Sequence, residues 1–252
     1  PDSWNRGPKE GSVLVPSQDQ EREVFVISDL HLGGALPAVD ACGGRGFRLM
    51  THPEVLASFV EELGVSAGNK ELIINGDFVD FLSEEHEGEK RWRPFVNEEK
   101  EAVRIFKRIA QRNSEIFSAL ASFLQRGKRL TLLLGNHDLE LSLPAVRREL
   151  ELALKASDGQ YRFIYDGEAY TVGDALIEHG NRYDPINMVD YDALRQVRSL
   201  QSRRSHEGLQ EFCPPQGSCL VSSVVNPLKE VFPFVDLLKP ESEGLVAVLL
   251  AL

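Results

Sequence analysis

Three short segments end apolar runs in side chains that bind metals. Asp29-Leu30-His31 follows Val24-Phe25-Val26-Ile27, Gly76-Asp77 follows Leu72-Ile73-Ile74, and Gly135-Asn136-His137-Asp138 follows Leu130 to Leu134. Hard divalent cations such as Mn²⁺ and Mg²⁺ favour carboxylate, amide oxygen and imidazole donors, and iron and zinc also accept imidazole. Each run has the length and β-branched character of a buried strand. The ligand-type groups therefore sit where strands break into loops, the edge on which open α/β sheets build their sites. Three such endings predict one constructed site that holds two metal ions.

The elements that must position these groups alternate as in an α/β fold. Strands are expected at 23–28, 71–75 and 130–134, with shorter ones at 161–165, 169–172 and 175–178 joined by Asp-Gly and Gly-Asp turns. Helices are expected at 53–63, with Thr51 as a cap, at 97–126 as one long element, at 145–156 and at 186–206. Gly127 stands where a helix C-terminus wants glycine. A Gly-rich loop spans 33–50, and His86 lies in a charged run that reads as solvent-facing. The organisation predicted is a flexible arm at 1–22, a catalytic-type domain at 23–207 with a helical insertion at about 83–127, and an irregular segment at 208–252. The apolar stretch from Gly244 to Leu252 stops without end signals, so the chain is expected to continue beyond it.

Composition removes several classes. At 252 residues, with 42% hydrophobic and 27% charged side chains, the chain reads as an ordinary globular protein. A net charge of −11 argues against stable nucleic-acid binding, which needs a basic face. A phosphate substrate would need local cations, and bound metals are the obvious ones. Cys42, Cys213 and Cys219 cannot all pair within one molecule and suit a reducing compartment, so a cytoplasmic location is expected. No stretch is long enough to span a bilayer.

Asp29-x-His31, Gly76-Asp77-x-x-Asp80, Gly135-Asn136-His137-Asp138 and His179-Gly180 occur in that order. This series resembles the calcineurin-like metallophosphoesterase family over roughly Val24 to Asn187. The resemblance implies an α/β fold of the metallophosphoesterase type, a β-sandwich flanked by helices. It implies a hydrolase for phosphomonoesters, phosphodiesters or pyrophosphates, acting through a hydroxide activated by two metals. It places Asp29, His31 and Asp77 on one ion and Asp77, Asn136 and His179 on the other, with Mn²⁺ the expected metal and iron, zinc or Mg²⁺ the alternatives. It makes His137 the group that stabilises the transition state or protonates the leaving oxygen, with Asp138 orienting it and Asp80 in support. Arg182 and Arg195 are the candidates for substrate binding, and a phosphorylated small molecule or phosphoprotein is the expected substrate.

One family element has no counterpart. Gly-His-x-His, which completes both metal spheres, does not follow His179; the only later histidine is His206. The motif is expected in a downstream segment, with a partner chain or a degenerate site as the alternatives. If the site is degenerate, the chain is a binding or assembly subunit. The run Ser28 to Gly33 also resembles the family's UDP-2,3-diacylglucosamine pyrophosphatase branch, which has Arg where this chain has His137. The same run occurs in its Mn-dependent nucleases.

Overall fold

A computed structural model describes residues 22–34, 48–86, 91–157, 159–203 and 212–231. Most of the predicted N-terminal arm, the middle of the Gly-rich loop, Cys42, Arg204, His206 and the apolar C-terminal stretch lie outside the described residues.

Four parallel strands form the main sheet in the order β1 (Arg22–Ile27), β2 (Asn69–Asn75), β3 (Arg129–Leu133), β4 (Tyr161–Ile164). Register is regular, with Ile27 beside Ile74 and Asn75 beside Leu133. Parallel pairing requires a crossover between successive strands, and helices supply it: α1 (Pro53–Val65), then α2 (Glu99–Arg112) and α3 (Ser114–Gln125), then α4 (Pro144–Leu154). Strand side chains alternate between faces. Leu72, Ile74, Leu130 and Leu132 face the helical core, while Ile73 and Leu133 pack on the other face. There a hairpin, β5 (Tyr170–Val172) and β6 (Ala175–Ile177), covers them with Tyr170 and Ile177. Buried Glu71 accepts hydrogen bonds from Thr131 (2.6 Å) and from Tyr170 of the hairpin (2.8 Å).

The fold is thus α/β, a parallel sheet with helices on one face. The second layer of the expected sandwich is a two-stranded sheet among the described residues. The chain continues through α5 (Tyr191–Ser202), α6 (Gln216–Leu220), a π turn at Val221–Val225 and α7 (Asn226–Val231).

Four local expectations change. The long helix of 97–126 is two helices, broken at Asn113 (φ −113°, ψ 32°), whose amide donates to the Ile109 carbonyl at 2.9 Å. Asparagine competes with helical backbone in this way, and the apolar stripe continues across the break, so periodicity alone does not reveal it. The last helix starts at Tyr191, where Asp190 caps it by accepting from Ala193 N at 2.9 Å. Helix α1 begins at Pro53 with His52, not Thr51, in the cap position and no side-chain cap bond. His86 is buried, its imidazole packed 3.8 Å from Glu101. Burial, with Arg93 beside it, lowers its pKa to about 4. Charged neighbours in sequence here fold inward because arginines from α2 meet them.

Candidate metal centre

All four main-sheet strands run the same way, so the loops after β1, β2 and β3 share one edge. Backbone hydrogen bonds stitch them together. Asp29 N donates to Gly76 O (3.2 Å), His31 N to Asp77 O (2.9 Å), Asp80 N to Leu32 O (3.0 Å) and Phe81 N to His137 O (3.1 Å). Asp29, His31 and Asp77 adopt positive φ of 55°, 43° and 50°. Non-glycine residues avoid that region unless their surroundings over-determine it, and such strain collects at functional sites. The glycines answer to crowding. A Cβ on Gly135 would lie 2.0 Å from Asp77 Oδ1 and 2.4 Å from Asp77 N, and one on Gly76 would lie 2.3 Å from His179 Nδ1.

Asp77 is the hub. Its Oδ1 accepts from His137 N at 2.9 Å. Its Oδ2 faces His31 Nε2 at 3.7 Å and His179 Nε2 at 3.4 Å. His31, Asp77 and His137 each bring one ligand-type atom within 4.8 Å of the others, and so do Asp29, Asp77 and His179. Asp29 lies on the exposed side, 3.9 Å from His31 Nε2; Asn136 is buried in the loop after β3.

Each imidazole is held by its far nitrogen. His179 Nδ1 donates to the Asn75 carbonyl at 2.8 Å, which accepts only. His31 Nδ1 and His137 Nδ1 both donate to Asp80 Oδ2, at 3.0 and 3.1 Å. With Nδ1 engaged in these bonds, Nε2 of His31 and of His179 is the atom turned toward Asp77, and it would bind a cation on giving up its proton. That is how a second carboxylate or carbonyl presents a histidine to a metal. The donor set fits divalent cations: carboxylates and two imidazoles around a shared oxygen.

Electrostatics agree. Burial disfavours charge on His137 and His179, yet Asp80 for the first and Asp77 for the second raise both to about 9. His31 is raised against burial by its bond to Asp80. Asp80 and Asp77 fall below the ordinary carboxylate range because these imidazoles outweigh their burial.

The predicted residues thus divide. Asp29, His31, Asp77, His137 and His179 converge on one small volume. Asp138 is not the partner of His137: it is fully buried and accepts from Phe78 N and Gly135 N, both at 2.8 Å. Its pKa rises to about 7 through burial and the charge of Asp77. Asp80 takes the orienting place instead, because the turn after β2 aims it between the two rings. Arg182 pairs with Glu178, donates to Gly167 O at 2.5 Å, and lines a small cavity of about 20 Å³ with His179, Asn181 and Tyr191. Arg195 is exposed and pairs with Asp192 at 2.7 Å on α5. Tyr191 is a cavity residue without a sequence signal; Asp80 had one in its spacing from Asp77.

The chain matches the family model for calcineurin-like phosphoesterases over residues 23–216, and it belongs to that family of metal-dependent phosphoester hydrolases. A search of curated proteins and of solved structures finds no match. No helix among the described residues is long and apolar enough to cross a membrane.

Proposed function

We propose that this protein hydrolyses a phosphate ester, in a phosphorylated small molecule or a phosphoprotein, at a centre of two divalent cations with Mn²⁺ the preferred ion. The single observation that carries this reading is Asp77 Oδ2, one buried oxygen faced by imidazoles from two different loops. Asp29, His31 and Asp77 would hold one ion, and Asp77, Asn136 and His179 the other. His137 N engages Oδ1 of Asp77, which leaves Oδ2 facing His31 and His179. When bound, such ions lower the pKa of a water and neutralise charge growing on phosphorus.

The chain's own groups supply the rest. His137, oriented by Asp80 through Nδ1 at 3.1 Å, is the group that would give a proton to the leaving oxygen from Nε2. Asp138 holds the loops after β2 and β3 together through two backbone amides and so sets the position of Asp77 against Asn136. Arg182, which lines a small cavity with His179, is nearer the centre than Arg195 and is the better placed of the two to meet an anionic part of the substrate.

The test is Mn²⁺-stimulated hydrolysis of an aryl phosphate by the purified protein and by Asp77→Asn. Loss of turnover and of one or both ions in the variant supports the reading; metal-dependent turnover that survives the change sinks it. Two ions bound with no turnover on aryl phosphates or phosphodiesters favours a binding or assembly subunit, and cleavage of single- or double-stranded DNA favours a nuclease.

A further inference from the structure

The turn that carries Asp80 ends in a buried charge cluster that the chemistry above does not use. Glu84, with its side chain 1% exposed, accepts from Arg108 Nε at 2.7 Å and from Arg112 Nη1 at 3.0 Å to both oxygens. The same carboxylate accepts from the backbone N–H of Gly34 at 2.9 Å, and Arg112 Nη1 reaches the Gly34 carbonyl at 3.4 Å. Both backbone groups of one glycine are thus tied to one ion pair, three residues beyond His31. Gly33 is pressed against the same turn: a Cβ there would lie 2.5 Å from Asp80 O and 2.6 Å from Ser83 Oγ. Ser83 N in turn donates to Asp80 Oδ1 at 2.9 Å.

Arg108 and Arg112 lie four apart on α2 and so share a face. Arg112 is the last residue of that helix, and Asn113, where the helix breaks, accepts from Arg48 Nη2 at 3.3 Å. The end of α2, in the middle of the helical insertion, therefore meets the loop that bears Asp29 and His31. A buried carboxylate is tolerated only when paired. Gly34 N and the two guanidiniums satisfy the buried carboxylate, and that ties the backbone three residues past His31 to α2.

We propose that the Glu84–Arg108–Arg112 cluster is a positioning device that ties the Asp29–His31 loop to the helical insertion and sets how tightly that half of the centre holds a divalent cation. The proposal rests on the metal reading of the site, and its test separates the two. Glu84→Gln keeps an oxygen for Gly34 N but removes the charge between two guanidiniums. Tyr170→Phe, which removes a buried hydrogen bond at the far end of the sheet, serves as the control for general destabilisation.

Two measurements are made on the full chain. Amide hydrogen exchange without metal is expected to be at least tenfold faster across residues 29–34 in Glu84→Gln and unchanged there in Tyr170→Phe. Mn²⁺ titration by calorimetry is expected to show one of two sites weakened about tenfold in Glu84→Gln, with both retained in Tyr170→Phe. Unchanged exchange at 29–34 overturns the proposal whether or not metal binds. Faster exchange with no Mn²⁺ bound by the parent protein sinks the metal reading and, with it, the claim on affinity. Faster exchange with both Mn²⁺ affinities unchanged reduces the cluster to a structural ion pair and overturns the proposal.

Discussion

Replacing Asp80 with asparagine changes one buried atom and should disturb two histidines at once. Oδ1 of Asp80 accepts from Ser83 N, so an asparagine keeps its oxygen there and turns its NH₂ toward the rings. Those two N–H groups then face His31 Nδ1 and His137 Nδ1, where a carboxylate oxygen had accepted from both. Each ring must move its proton to Nε2. For His31, Nε2 is the atom 3.7 Å from Asp77 Oδ2, so the lone pair a cation needs is lost. Losing such an orienting partner costs about 10–100-fold in metal affinity, or roughly 1.4–2.8 kcal/mol. His137 loses its orienter as well, so turnover at saturating metal should fall by a further factor on the order of 10² or more. Calorimetric Mn²⁺ titration and aryl-phosphate hydrolysis at pH 7.5 read the two effects separately. Melting of the metal-free protein gives a third reading. Burial lowers the pKa of His137, but Asp80 more than compensates and lifts it to about 9. A raised histidine stabilises the fold below its unfolded pKa, near 6.5, and that stability is lost as pH rises through about 9. The fall in Tm between those pH values should therefore be shallower in Asp80→Asn. Mn²⁺ affinity within twofold of the parent, with an unchanged Tm profile, would refute the proton placement on which the site is built.

Further outcomes follow from single contacts. Gly135→Ala places a methyl 2.4 Å from the Asp77 backbone nitrogen, which cannot swing away; Mn²⁺ binding should fall by at least tenfold, as calorimetry would show. Glu140, fully buried, is raised to about 8 by burial, against its acceptance from Val96 N at 2.8 Å. A raised acid stabilises the fold below its unfolded pKa, near 4.5, and the contribution is lost as pH rises through about 8. The stability of the parent should therefore fall relative to Glu140→Gln between pH 5 and pH 8, by on the order of 2–4 kcal/mol; parallel melting curves would count against this. Arg195→Ala removes an exposed pair with Asp192 and should leave kcat/KM within twofold, whereas Arg182→Ala should raise KM by about tenfold. Dialysis against EDTA should abolish hydrolysis and Mn²⁺ should restore it; activity in stripped protein would remove the cations from the reaction.

Local patterns were enough to read the metal chemistry from the chain itself. Three apolar runs of strand length, each ending in carboxylate, amide or imidazole, predict parallel strands whose ends meet, because burial on both faces demands continuous apolar residues and the ligands can only follow where the run stops. That reasoning brought Asp29, His31, Asp77 and His137 together, and they do converge; His179 follows the hairpin strand β6 and was legible from the order of the family's motifs. Partner choice was not. Whether Asp80 or Asp138 orients His137 depends on which way each turn aims its carboxylate, and both lie within a few residues of a site loop. The break at Asn113 hides in an unbroken apolar stripe. The burial of His86 and Glu84 is invisible in a charged run, because the groups that meet them, Glu101 for His86 and Arg108 for Glu84, arrive from α2, some twenty residues away in sequence. Residue type and spacing state what a segment can bind. Only the packed fold, by bringing distant donors within 3 Å, decides which atom holds which.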